Sequence, residues 1–329
     1  MIDSINFIIK PMGDSCNLKC KYCFTNSDKY CGEPISVKTV KEFVLGLAED
    51  DRFQHIKFTW HGGEPLLWGV QRYKEVFEFQ KQHLAKKSYM NIFQTNGTLL
   101  NQAYIDLIKE YGAYIGVSID GPTYTLNNQR FDDEKQFNKM INNLALLKKN
   151  NVPFAIFCTL TSNNIDHLSE ILDFIEHLNP YAYTLIPVMD SSFFITRSQW
   201  RDVLNQTNLF LKQTGIPHSY TMNLNSLHPR MCMMNGRCQS FVTIDNHGIV
   251  NKTCRINHDL TIGNLKDGDI LEKISQYAFK PLEIKEKSIF SYIPERKYIY
   301  FQGDGCYYRK LAHSNNDFIA GFVSYLKNH

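Results

Sequence analysis

The residues best placed to do chemistry lie in one short stretch, Cys16-Asn-Leu-Lys-Cys20-Lys-Tyr-Cys23. Thiolates are the usual ligands of iron–sulfur clusters, and this close spacing lets a single loop wrap several corners of one. Three ligands on a four-iron cluster leave one iron open. An open iron can hold a substrate, whereas a fully ligated cluster mainly stores or passes electrons. The competing reading is structural zinc, held by three cysteines plus a histidine or a distant fourth cysteine, although zinc sites favour C-x2-C pairs.

Four further thiols, Cys232, Cys238, Cys254 and Cys306, fall in the last third of the chain. Cys31 and Cys158 are left over, and Cys158, in FAIFCTLT, reads first as a packed core residue. None of the 11 histidines stands in a metal-binding pattern, though His61 adjoins the segment GGEP. Glycine-rich and polar segments, HGGEP, QTNG and SIDG, each close an apolar run. Taken singly they are ordinary turn signals, and Arg130 taken singly is a solvated charge.

These segments need elements to hold them. Candidate strands at 5–10, 56–61, 90–95, 115–120, 154–161 and 183–188 alternate with helical patterns near 36–50, 69–87, 101–111, 133–149 and 165–178. Such alternation predicts parallel strands joined by crossovers. Six units fall short of the eight of a closed barrel, so the expected fold is α/β, a partial (β/α)6 TIM-like barrel. The unusual residues cluster at the C-terminal ends of its strands, the edge where chemistry sits in such folds. A helix near 196–213 ends at Gly215, and beyond it the texture changes. VTIDNHGIV predicts a hairpin about Asn246-His247-Gly248, with helices near 268–279 and 315–327. The expected division is 1–220 for the barrel and 221–329 for a small cysteine-rich α+β extension.

Bulk properties exclude several classes. A net charge of +3 without a basic tract does not describe a nucleic-acid binder. No apolar run nears the roughly 18 residues needed to span a bilayer, and the first residues lack the layout of a signal peptide. The expected setting is the cytoplasm, with no membrane association, where nine cysteines serve as metal ligands or reactive thiols rather than disulfides.

CNLKCKYC, followed in order by GGEP, QTNG and SIDG, resembles the signature of radical S-adenosylmethionine (SAM) enzymes. The resemblance spans about residues 5–190. It implies a 4Fe–4S cluster on Cys16, Cys20 and Cys23, whose open iron takes the amino and carboxylate groups of SAM. Electron transfer into the sulfonium then yields a 5′-deoxyadenosyl radical. It further implies that Tyr22 lies near the adenine, and that Gly62, Gly63, Glu64 and Pro65 hold the methionine amino group. Asn96 would line the site, as would Ser118 and Asp120 of the SIDG segment, with Ser118 contacting the ligand. Arg130 would pair with the methionine carboxylate. Cys158, were it to face the lumen, could donate a hydrogen atom to a substrate radical.

CQSFVTIDNHGIVNKTC resembles the auxiliary-cluster (SPASM/twitch-type) extension of peptide-modifying and sulfatase-maturing members, with one extra residue after Gly248. Only Cys306 follows Cys254, so a shortened extension is expected. Its single auxiliary 4Fe–4S cluster would be ligated by Cys232, Cys238, Cys254 and Cys306, with zinc on the same thiols as the alternative. Where sulfatase-maturing enzymes carry an aspartate base after the second hairpin cysteine, this chain has Arg255, which disfavours that reaction.

The pairing of radical domain and extension implies a peptide or protein substrate, matured by a crosslink, a thioether or an epimerisation. It also implies an external electron donor such as flavodoxin or ferredoxin. The first strand begins near residue 5, so leader recognition would fall to the barrel surface or to a separate protein, or be unnecessary. The alternatives are oxidation of a small molecule such as a sugar-derived alcohol and, outside enzymes, a zinc-stabilised binding module.

Overall fold

A computed structural model describes residues 4–23, 32–188, 191–193, 195–218, 241–252 and 261–278. In chain order it contains β1 (Ser4–Ile9), α1 (Val37–Glu49), β2 (His55–Trp60), α2 (Val70–His83), β3 (Ser88–Thr95), α3 (Gln102–Tyr111) and β4 (Tyr114–Ser118). There follow the one-turn α4 (Tyr124–Asn127), α5 (Glu134–Lys149), β5 (Phe154–Leu160), α6 (Leu168–Leu178), β6 (Ala182–Pro187) and α7 (Arg197–Thr214). The described C-terminal elements are β7 (Phe241–Ile244), β8 (Ile249–Asn251), β9 (Thr261–Asn264) and a helix, Ile270–Ala278, designated α8.

Local sequence accounts for these elements. In β1, Ile5, Phe7 and Ile9 alternate into the core, the period-2 pattern of a strand. In α1 the Ser36 side chain accepts from the Thr39 amide and Val40, Phe43, Val44 and Leu47 form one buried stripe, the spacing of a helix lying on a sheet. α5 repeats the device, with Asp133 capping Gln136 and with Phe137, Met140, Leu144 and Leu147 inward. α7 opens on a reciprocal capping box between Thr196 and Gln199 and closes on Gly215 at φ 72°.

Strands β1 to β6 are parallel, and each lies beside its predecessor. The whole sheet of described strands runs β6-β5-β4-β3-β2-β1-β7-β8-β9. It is an open mixed sheet, the partial TIM-like barrel expected from the β-then-α alternation. The hairpin expected about Gly248 is β7–β8. Its turn is drawn by Asp245, whose Oδ1 accepts from the amides of His247 (2.9 Å) and Ile249 (2.8 Å). β7 also pairs in parallel with β1, from Asn6↔Phe241 to Ile9↔Ile244, and so continues the barrel sheet.

The core lies between the sheet and its helices. Its densest part is aromatic: Trp60 stacks on Trp68 at 5.7 Å between centroids, and Tyr73 meets Trp60, Trp68 and Phe93 edge-on. Both indole N–H groups are satisfied, on Asn91 Oδ1 and the Ile35 carbonyl. Among the described residues no helix is long and apolar enough to cross a membrane. Cys31, Cys232, Cys238, Cys254, Arg255, Cys306 and the helix expected near 315–327 lie outside the described residues.

Candidate active site

The C-terminal ends of β1 to β5 converge on the cysteine loop. After β1 the chain turns at Lys10–Gly13, and the Lys10 ammonium pairs with Asp14 at 2.9 Å. The segment after β2 locks onto this turn through its backbone: the Gly63 amide donates to the Gly13 carbonyl (2.9 Å) and the Glu64 amide to Ser15 (2.9 Å). That approach explains the glycine pair. Gly62 sits at φ +113°, and a Cβ there would stand 2.4 Å from the Gly13 oxygen; one on Gly63 would stand 2.0 Å from the Ser15 oxygen. Pro65 then starts a single 3₁₀ turn, Pro65–Trp68.

Glu64 is fully buried and ties β2 to β3. Its carboxylate accepts from the Leu66 amide (2.9 Å), the Thr95 hydroxyl (2.7 Å) and the Asn96 amide (2.8 Å). Burial nevertheless pushes its pKa from 4.5 up to about 7 against those donors. An acid whose pKa is raised on folding contributes stability below its unfolded value and loses it as the pH rises through the folded value. In denaturant titrations of the metal-free chain, wild type should therefore lose stability relative to Glu64→Gln between about pH 4.5 and 7. A pH-independent difference would show that Glu64 stays ionised throughout.

Asn96 carries the contact onward. Its Nδ2 donates to Asn17 Oδ1 (2.9 Å) and lies 3.8 Å from Cys16 Sγ, while its Oδ1 accepts from the Thr98 amide (2.9 Å) and hydroxyl (2.7 Å). Cys16 Sγ also accepts from the Leu18 amide at 3.4 Å. Cys20 Sγ donates to the Arg130 carbonyl at 3.5 Å, and Cys23 is exposed.

The far side of the loop rests on the segment after β4. Asp120, 1 % exposed, accepts from Arg130 Nε (3.1 Å) and Nη2 (3.0 Å), from the Thr159 amide of β5 (2.8 Å) and from the Tyr22 hydroxyl. The Arg130 guanidinium also lies over the Tyr22 ring, 5.6 Å from its centroid. Asn127, wholly buried in α4, holds this corner by accepting from the Asp120 amide (2.8 Å) and donating to the carbonyls of Gly121 (2.8 Å) and Thr123 (2.7 Å). Ser118 ends β4 half-buried, opposite Phe157.

Every described cluster- or SAM-site candidate of the N-terminal region except Cys158 thus lies along one sheet edge. Cys158 is 1 % exposed and belongs, with Ile156 and Leu160, to the apolar core. Burial raises its pKa well above the ordinary thiol value. Asn17, Asn127 and Thr159 escaped the sequence reading. Asn17 stood inside the motif itself, but Asn127 and the Thr159 amide carry no local signal.

Among the described residues no three side chains are gathered closely enough to hold a single metal ion, so the case for a cluster on the thiols rests on their donor chemistry. They form an all-sulfur donor set in one loop, and Cys16 Sγ already receives two N–H groups, the kind of hydrogen bond that tunes sulfur ligands. Burial raises the metal-free thiols, Cys16 to about 11 and Cys20 to about 12. A bound metal would replace the proton on each thiol.

An open α/β partial barrel with a three-thiol loop at its C-terminal edge is the arrangement that the resemblance to radical SAM enzymes implies. The chain belongs to the Radical SAM superfamily, whose profile matches residues 11–175. It is 27% identical over 273 residues to a cysteine-type anaerobic sulfatase-maturating enzyme of Clostridium novyi, covering 75% of this chain and 72% of that one. A serine-type enzyme of Bacteroides thetaiotaomicron is 29% identical over 196 residues, 56% of this chain and 46% of the relative. In fold the chain resembles anSMEcpe with bound AdoMet (TM-score 0.76, 22% identity, 98% of each chain). It also resembles Streptococcus suis SuiB bound to S-adenosylmethionine (TM-score 0.62, 13% identity, 81% of this chain and 64% of that one). Membership implies a 4Fe–4S cluster and SAM as cofactors.

Proposed function

We propose that this radical SAM enzyme abstracts hydrogen from a residue of a peptide or protein, with the cluster held by Cys16, Cys20 and Cys23. The observation that carries this reading is the convergence of three thiols, the Gly62–Gly63 backbone and the Tyr22–Asp120–Arg130 group on one edge of the barrel. When bound, the cluster supplies the electron that breaks a carbon–sulfur bond of SAM and so generates the deoxyadenosyl radical. The chain's own residues position and exclude. Glu64 is enclosed and engaged by three donors, so holding the methionine amino group falls to the Gly62–Gly63 backbone, with Glu64 bracing it. Pro65 sets the exit of that segment. Tyr22 offers a ring face to adenine, Asn96 and Ser118 line the strand ends, and Arg130 presents a guanidinium to the carboxylate.

The two-region division, 1–220 and 221–329, and a single auxiliary 4Fe–4S cluster on Cys232, Cys238, Cys254 and Cys306 belong to the same reading. So do a flavodoxin- or ferredoxin-like donor and a separate leader-recognition protein. The peptide class is supported by anSMEcpe and SuiB, whose structures include peptide-bound forms, Cp18Cys with the former and precursor SuiA with the latter. Cys158 is assigned to packing. Cys158→Ala should keep deoxyadenosine release while costing roughly 1–2 kcal/mol of stability, and loss of release in a folded, iron-loaded variant would make it a hydrogen donor.

The test is isotopic. Candidate peptides encoded beside the gene, and sulfatase-derived peptides, are deuterated at carbon and incubated with reduced enzyme and SAM. Deuterium appearing in 5′-deoxyadenosine from a peptide supports the proposal. Deuterium arriving only from a sugar-derived alcohol would overturn it in favour of small-molecule oxidation.

A further inference from the structure

The Asp120–Arg130 pair is placed oddly for a device whose only task is to hold a ligand. Both side chains are almost wholly enclosed, 2% and 8% exposed, and Asp120 takes two of the guanidinium's donors. Asp120 also collects the Tyr22 hydroxyl from the cysteine loop and the Thr159 amide from β5. Four donors thus meet one enclosed carboxylate, two of them from a guanidinium. The segment just before Arg130 is stitched to the same loop: the Lys21 amide donates to the Gln129 carbonyl at 2.7 Å, and Cys20 Sγ to the Arg130 carbonyl at 3.5 Å. Cys20 thus touches the backbone of Arg130 and feels the charges of both Arg130 and Asp120, while Tyr22, two residues on, bonds to Asp120 itself.

A fixed positive charge beside an iron–sulfur centre favours the reduced, more negative state, and a fixed negative charge opposes it. In an enclosed site neither is well screened. Here the two stand together, with opposite signs, against the same ligand.

We propose that Asp120 and Arg130 form a charge-balanced positioning pair that sets the reduction potential of the cluster on Cys16, Cys20 and Cys23. Asp120 offsets an arginine that would otherwise make the centre too easily reduced, and through Tyr22 it fixes the end of the loop bearing Cys23. This rests on the cluster assignment above but not on any substrate. It makes Asp120 a residue acting through others rather than a SAM contact.

The experiment is a potentiometric titration, followed by electron paramagnetic resonance, of reconstituted enzyme without SAM. The signal followed is the one that the triple cysteine-to-alanine variant lacks. Asp120→Asn should shift the midpoint upward, Arg130→Gln should shift it downward, and the double variant should return toward wild type. Arg130→Lys, which keeps the charge but not the fork, should stay near wild type, and it carries the test should Asp120→Asn fail to hold iron. Tyr22→Phe, with both charges retained, should leave the midpoint unmoved and broaden the signal. Shifts of the same sign in Asp120→Asn and Arg130→Gln, or Arg130→Lys moving as far as Arg130→Gln, would overturn the inference. A wild-type protein with no cluster signal would instead overturn the cluster assignment itself.

Discussion

Replacing Cys16, Cys20 and Cys23 together by alanine is expected to abolish release of 5′-deoxyadenosine and to remove about four irons per chain. The fold should survive. Cys23 is exposed, and Cys16 and Cys20 are only partly buried at the margin of an apolar core whose strand and helix residues the alanines leave in place. Iron belonging to the proposed auxiliary site should remain, so the variant separates the two centres by iron analysis alone. Nucleoside release at the wild-type rate from this variant would mean that the reacting centre lies elsewhere in the chain.

Gly63→Ala is the second large effect expected, and it reaches the same loop without touching a ligand. The added methyl would stand 2.0 Å from the Ser15 carbonyl oxygen and 2.5 Å from that of Asp14, both backbone atoms. Neither can rotate aside as a side chain could. The loop must instead withdraw, breaking the hydrogen bonds that the Gly63 and Glu64 amides donate to the Gly13 and Ser15 carbonyls. Displacements of about 1 Å at a reacting centre cost roughly 100-fold in rate, and here the moved atoms precede Cys16 directly. Deoxyadenosine formation should therefore fall by about that factor or more, with poorer iron loading of the first site. Full loading and wild-type turnover would show that the close approach of the two segments is dispensable.

Much of this architecture was legible in the residues. The six parallel strands announced themselves because each is a short β-rich run followed by a helical stripe, and their observed bounds differ from the expected ones by a few residues at most. The glycine pair, Asn96, Asp120 and Arg130 were legible by type and order. Their partners were not. That Glu64 spends its carboxylate on Thr95 and Asn96, or that Asp120 takes Arg130 and Tyr22, depends on how separate loops fold over one edge. Apart from Asp120 and Arg130, ten residues apart, no short window of sequence contains both halves of such a contact. Asn127 was invisible for a related reason: α4 is a single turn, too short for periodicity to register. The parallel pairing of β7 with β1 was hidden by distance along the chain, since the hairpin signal at Gly248 says what β7 does with β8 and nothing about β1.

The most direct test of the central claim is iron and zinc content after anaerobic purification, paired with a dithionite-driven assay for 5′-deoxyadenosine. About four irons on the N-terminal thiols, with nucleoside released from SAM, is the predicted result, rising to about eight irons where the auxiliary site is filled. Zinc in place of iron, with no nucleoside formed, would contradict it and leave a metal-stabilised binding protein.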